Sequence, residues 1–74
     1  MNYKDVIVSN PGIMLGKPVI KGTRITVELI IKKLSEGFSS DELLNEYPLL
    51  KHEDILAALA YSSDVISKEE IIAA

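Results

Sequence analysis

Three basic side chains, Lys17, Lys21 and Arg24, fall close together in the stretch GKPVIKGTRITVELI, residues 16–30, with Lys32 just beyond it. Such a cluster can neutralise negative charge, either the phosphates of a nucleic acid or the acidic side chains of a protein. Glycine, lysine and threonine occur together here, but without the spacing of a phosphate-cradling loop. The carboxylates come as neighbours: Asp41 with Glu42, Glu53 with Asp54, Glu69 with Glu70. Each pair falls in the first turn of an expected helix, where negative charge suits the helix dipole, so the pairs need no acid–base role. His52 is the sole histidine and cysteine is absent. Thiol chemistry, disulfides and cysteine-based zinc sites are therefore excluded, and no serine stands in a nucleophile-elbow context. Binding rather than catalysis is expected, with no cofactor, metal or catalytic residue.

The charges are divided along the chain. Residues 1–33 carry six basic and two acidic side chains, a balance of +4, whereas residues 34–74 carry two and nine, a balance of −7. Different partners for the two halves would account for this. With 74 residues, 47% of them hydrophobic, a single domain spanning 1–74 is expected. A chain this short buries only about 60% of its unfolded surface, so its core is marginal and a second copy or another protein is expected to cover part of it. The longest apolar run, residues 55–61, is far short of a membrane span. The opening MNYKDVIVSN has no signal-peptide pattern, and a cytoplasmic location without membrane contact is expected.

Three elements must carry these side chains. Residues 1–25 read as a β-ribbon with a basic turn: Val6 to Val8, Ile13 to Leu15 and Val19–Ile20 are short apolar runs separated by turn residues. Gly16 closes the second run, Gly22 is expected to take a positive φ, and Thr23 to bond locally. Residues 26–62 read as three helices. Thr26 caps the first, Val27, Ile30, Ile31 and Leu34 form its apolar stripe, and Gly37 stops it. Ser39 and Glu42 form a capping box for the second, with Phe38 and Leu43 as its staple and Pro48 after its end. The third is expected over 52–62, with Ile55, Leu56, Leu59 and Ala60 buried. Lys51 stands at its cap position without an acceptor oxygen, so Lys51→Ser is expected to stabilise the domain by roughly 0.5–1 kcal/mol. Residues 63–74 read as a C-terminal stub, where Ser67 with Glu70 and Ile66 with Ile71 repeat the box and staple of a short last helix. Arg24 is expected either to pair with a carboxylate such as Glu28 or to face a partner.

The pattern G-K-P-x-I-x-G-T-R-I-x-V over 16–27, the glycine at 37, the Tyr47–Pro48 step and the Ala-Ala-Leu of 57–59 together resemble the domain-of-unknown-function 433 family, over residues 7–61. The resemblance implies a mainly α, homeodomain-like three-helix fold with an N-terminal β-hairpin. It also implies a small VapB-type antitoxin, paired with a PIN-like ribonuclease encoded beside it. Family members commonly carry Thr or Ser where this chain has Lys51, in keeping with the missing cap.

An antitoxin that neutralises such a nuclease, and as a homodimer represses its own operon, is the leading expectation. Lys17, Lys21 and Arg24 are the candidates for DNA or an acidic partner site. Val65, Ile66, Ile71 and Ile72 are the candidates for protein contact, while Gly16, Gly22 and Thr23 are expected to shape the turn. A helix-turn-helix contact through the third helix is disfavoured, because its first turn carries Glu53 and Asp54, which repel phosphate. The alternatives are a stand-alone DNA-binding regulator and a dimerisation module without nucleic-acid contact.

Overall fold

A two-stranded hairpin and three helices follow one another along residues 2–68, the part of the chain described by the computed structural model. Strands β1 (Ile7–Val8) and β2 (Val19–Ile20) pair antiparallel, with Ile7 opposite Ile20 and Val8 opposite Val19. Helices α1 (Val27–Ser35), α2 (Ser40–Glu46) and α3 (His52–Lys68) complete the domain. The fold is thus mainly α, with the hairpin at its N-terminal end. The core lies where the hairpin meets the helices: Ile7, Ile20, Val27, Ile30, Leu43 and Ile55 are all buried in it.

The helix ends follow from local chemistry. Thr26 Oγ1 accepts the Leu29 N–H at 3.0 Å and starts α1. The helix ends in a Schellman motif: Gly37 N–H reaches the Leu34 carbonyl and Phe38 N–H the Lys33 carbonyl, both at 3.1 Å. That geometry needs a left-handed residue, and Gly37 supplies φ +97°. Ser39 and Glu42 form the full capping box of α2. Phe38 and Leu43 both reach the core from either side of that cap.

Three expectations are corrected and a fourth is refined. First, Met14 to Gly16 is no strand. Met14, Leu15 and Gly16 take φ values of +48°, +58° and +82°, a left-handed turn that leaves Leu15 almost fully exposed. The turn at Pro11–Gly12 folds Ile13 back onto Asn10, so this segment adds no strand to the hairpin.

Second, α3 does not stop at Ser62. It runs unbroken to Lys68, with Ser62 Oγ donating to the Ala58 carbonyl and Ser67 Oγ to the Asp64 carbonyl, both at 2.8 Å. Serine hydroxyls bonded back in this way are accommodated inside a helix at a slight cost. Ser67 therefore lies inside α3 and caps no separate helix, while Glu70, Ile71 and Ile72 lie outside the described residues.

Third, α3 is turned differently from the expectation. Asp54, Ile55, Ala57 and Ala58 are buried, whereas Leu56 and Leu59 are 45% and 44% exposed. The two alanines carry no bulk, so α3 lies close against its neighbours there, which leucines would prevent.

Fourth, the α3 start is half capped. Asp54 Oδ2 accepts the Lys51 N–H at 2.9 Å, the acidic half of a capping box whose other half, a side-chain acceptor at position 51, is missing.

Candidate binding surfaces

A groove of about 680 Å³ runs between α1 and the C-terminal half of α3. Its apolar walls come from Pro18 and Val27 on one side and from Tyr61, Val65 and Ile66 on the other. Lys17, Glu28 and Lys32 stand on its rim. Lys17 Nζ donates to Glu28 Oε1 at 2.7 Å across the start of α1. That hydrogen bond, and then the charge of Lys17, holds the Glu28 carboxyl below its ordinary range. The two side chains are well exposed, so the pair is screened by water and adds little to stability. Lys32 is exposed and forms no ion pair among the described residues.

The groove joins Lys17, a basic candidate, to Val65 and Ile66, two apolar ones. It does not gather the other basic candidates. Lys17 and Lys21 lie at opposite ends of an extended segment, about 13 Å apart at 3.3 Å per residue. Lys21 lines a hollow of about 310 Å³ together with Asp5, Lys51 and Asp54. Arg24 lines a neighbouring one of about 600 Å³ with Val8, Ile13 and Leu49. Gly22 and Thr23 form the ridge shared by these two hollows. Gly22 sits at φ +80°, in the left-handed region that lets the chain leave β2 and turn towards α1. Thr23 Oγ1 donates to the Ile20 carbonyl at 2.8 Å and accepts the Ile25 N–H at 3.0 Å, which fixes the turn. Arg24 does not pair with Glu28, which Lys17 already engages; neither Arg24 nor Lys21 is in an ion pair among the described residues.

Several residues line these surfaces in places that their sequence positions do not signal. Lys32 carries a weak signal, its place four residues after Glu28 on a helix. Lys51 and Leu49 reach the hairpin hollows only through the α2–α3 turn. A clasp closes the other end of the molecule. The Tyr3 hydroxyl donates to Asp64 Oδ2, and Lys68 Nζ donates to the same oxygen at 3.0 Å. The Tyr3 ring packs edge-on against Tyr61 at 5.4 Å. The hydrogen bond to Asp64 pushes the Tyr3 phenol above its ordinary pKa, and the bonds from Tyr3 and then Lys68 hold Asp64 below its own.

The carboxylate pairs have structural places. Glu42 accepts the Ser39 N–H at 2.9 Å, and this backbone hydrogen bond lowers its pKa. Asp54 is buried at the α3 cap, Glu53 stands in the same first turn, and Glu69 and Glu70 lie outside the described residues. His52 is exposed at the head of α3. Among the described residues, no group of three His, Cys, Asp or Glu side chains is arranged to hold a metal ion. Nor is any helix there long and apolar enough to cross a membrane.

The fold recurs in a solved structure, and the sequence has a curated relative. A crystal structure of a DUF433 member protein from Anabaena variabilis ATCC 29413 superposes with a TM-score of 0.81 at 32% sequence identity, over 88% of this chain and 64% of that one. Uncharacterized protein y4eO of Sinorhizobium fredii (strain NBRC 101917 / NGR234) is 32% identical over 59 residues, 80% of this chain. The chain thus spans only 27% of that curated relative's length. Residues 7–62, which run from β1 through most of α3, match the model of the family described as Protein of unknown function (DUF433), and the chain belongs to that family.

Proposed function

We propose that the protein is the antitoxin of a type II toxin–antitoxin pair and acts by seating on a PIN-like ribonuclease. The observation that carries this reading is the α1–α3 groove, where an apolar floor meets lysines on the rim. Val65 and Ile66 are 41% and 60% exposed there, a sizeable apolar surface on a small domain and one suited to a protein contact. A nuclease that holds divalent metal with acidic side chains presents carboxylates, which Lys32 meets directly. Lys17 meets them by exchanging Glu28 for a carboxylate of the partner. Contact with operator DNA falls to Lys21 and Arg24 in the β2–α1 turn, because the first turn of α3 carries Glu53. Such a protein works in the cytoplasm.

The test is recovery of tagged protein from the native host's extract at moderate salt with nuclease added, followed by mass spectrometry. The expected result is a stoichiometric small protein whose ribonuclease activity falls when the purified chain is added. Val65→Glu should weaken that inhibition about tenfold or more, as loss of a buried interface anchor does, while the thermal melt is unchanged. No such partner, with DNA recovered once nuclease is omitted, would replace this reading with a stand-alone regulator acting through Lys21 and Arg24.

A further inference from the structure

Leu56, Leu59, Ser63 and Ile66 follow one another at intervals of three, four and three residues, so they form one stripe along α3. The stripe lies on the side opposite the buried Asp54, Ile55, Ala57 and Ala58, and all four of its side chains are exposed. We infer that this stripe is the contact between two copies of the chain, which pair α3 against α3 antiparallel about a twofold axis.

The spacing favours a second copy over another protein. Reversing the stripe about its midpoint, the position of Tyr61, maps it onto itself. Leu56 then faces Ile66 of the second copy, and Leu59 faces Ser63. Each leucine at 59 meets a small side chain and each large end residue meets a large one, as an isologous interface requires. Intervals of three and four residues are those of knobs-into-holes packing between two helices. The four stripe residues are uncharged, so like charges do not meet along the seam.

The area sets the strength. A helix of 17 residues is about 25 Å long and, as half of a cylinder about 10–12 Å wide, presents roughly 400 Å². Two such faces bury about 800 Å², at the weak, transient end of protein interfaces. The dimer is therefore expected to be reversible, with dissociation in the micromolar range. The inference does not depend on the nuclease. The groove residue Val65 lies off the stripe, and Ile66 alone belongs to both surfaces.

Light scattering coupled to size exclusion tests it on the full chain. The expected mass is that of two chains at about 100 µM, falling towards one chain on dilution below the dissociation constant. Leu59→Glu should give one chain at all concentrations while its far-ultraviolet circular dichroism is unchanged. Two single variants, Leu59→Cys and Ser63→Cys, read the register, since the chain has no other cysteine. Mixed under mild oxidation, they should form the mixed 59–63 disulfide in preference to 59–59 or 63–63. A monomer at every concentration, or a dimer that Leu59→Glu leaves intact, overturns the inference. So do homodisulfides in excess, which would mean a parallel pair.

Discussion

Lys51→Ser should make this protein more stable, and the structure says by what route. The Lys51 N–H is already accepted by Asp54 Oδ2 at 2.9 Å, so position 51 is held in the geometry that a capping box requires. The reciprocal bond is the missing one. Asp54 N–H turns back to the Lys51 carbonyl at 2.9 Å, and Ile55 N–H reaches that same carbonyl at a longer 3.4 Å. A serine at 51 offers Oγ to the Asp54 N–H without moving the backbone. Restoring a cap of this kind contributes about 0.5–1 kcal/mol in most proteins. For a domain of this size, that raises the melting midpoint by about 2–8 °C. The measurement is a pair of thermal melts followed by circular dichroism, supported by urea midpoints at constant slope. Asp54→Ala serves as the converse. It removes the acceptor from the buried side of the turn and should lower stability by about 1–3 kcal/mol. A serine variant that melts at or below the parent, while Asp54→Ala melts lower, would mean that the α3 start gains nothing from a side-chain acceptor. The capping argument would then fail at this helix.

Three further outcomes follow from other parts of the fold. Gly22→Ala should lose about 1–2 kcal/mol, the cost of a left-handed residue with a Cβ. No atom stands within 4 Å of that Cβ, so the loss is backbone alone and Gly22→Asn should lose less; equal losses in chemical denaturation would refute this. Ile30→Ala should cost about 2–5 kcal/mol and Ile30→Val about 0.5–1.5, because Ile30 is buried between the hairpin and the helices; similar urea midpoints for the two would show that the core closes over the gap. Tyr3→Phe keeps the ring against Tyr61 but loses the bond to Asp64, so it should melt below the parent at neutral pH. The depressed carboxyl of Asp64 contributes stability present above the ordinary carboxylate range and lost as pH falls through its lower folded pKa. The raised phenol of Tyr3 contributes below its ordinary pKa and loses that as pH rises through the folded value. The gap between the two melts should therefore narrow at both acid and alkaline extremes, and a constant gap would refute the clasp.

The features legible in the sequence are those decided by a few neighbouring residues. Thr26, the Ser39–Glu42 box and the glycine stop at Gly37 are local hydrogen-bond patterns, and each appears in the structure where its residues stand. The facing of α3 is different in kind. Its sequence carries two apolar stripes, and the leucines outweigh the alanines in hydrophobicity. The core takes the alanines because the approach of two helices depends on side-chain volume as well as on apolar area. No local signal separates those choices. The same holds for the site. Lys17 meets Glu28 across the β2–α1 turn and Tyr3 meets Asp64 across the whole chain, pairings that only the folded path creates. The left-handed Met14 and Leu15 were illegible for another reason: neither residue type favours that conformation.

The corrected facing of α3 also changes what the helix demands of its surroundings. A helix with apolar residues on opposite sides belongs inside a structure, and α3 lies at the surface of a domain whose core is already filled by Ile30, Leu43 and Ile55. Leu56, Leu59 and Ile66 have about half of their surface left in water. Covering it would contribute about 2–4 kcal/mol per chain, against a total stability of roughly 4–11 kcal/mol for a chain of this length. Pairing of two copies on this face would thus supply a substantial part of the stability of the folded state. Mass action then requires the melting midpoint to climb with protein concentration across the dissociation constant, because the folded state gains about 0.7 kcal/mol per chain, or about 1.4 kcal/mol per dimer, for each tenfold step above it. Leu59→Glu should flatten that dependence. A parent protein whose midpoint is the same at 1 µM and 100 µM would show that the exposed leucines contribute nothing through self-association, and the stripe would then have to be covered by a different partner.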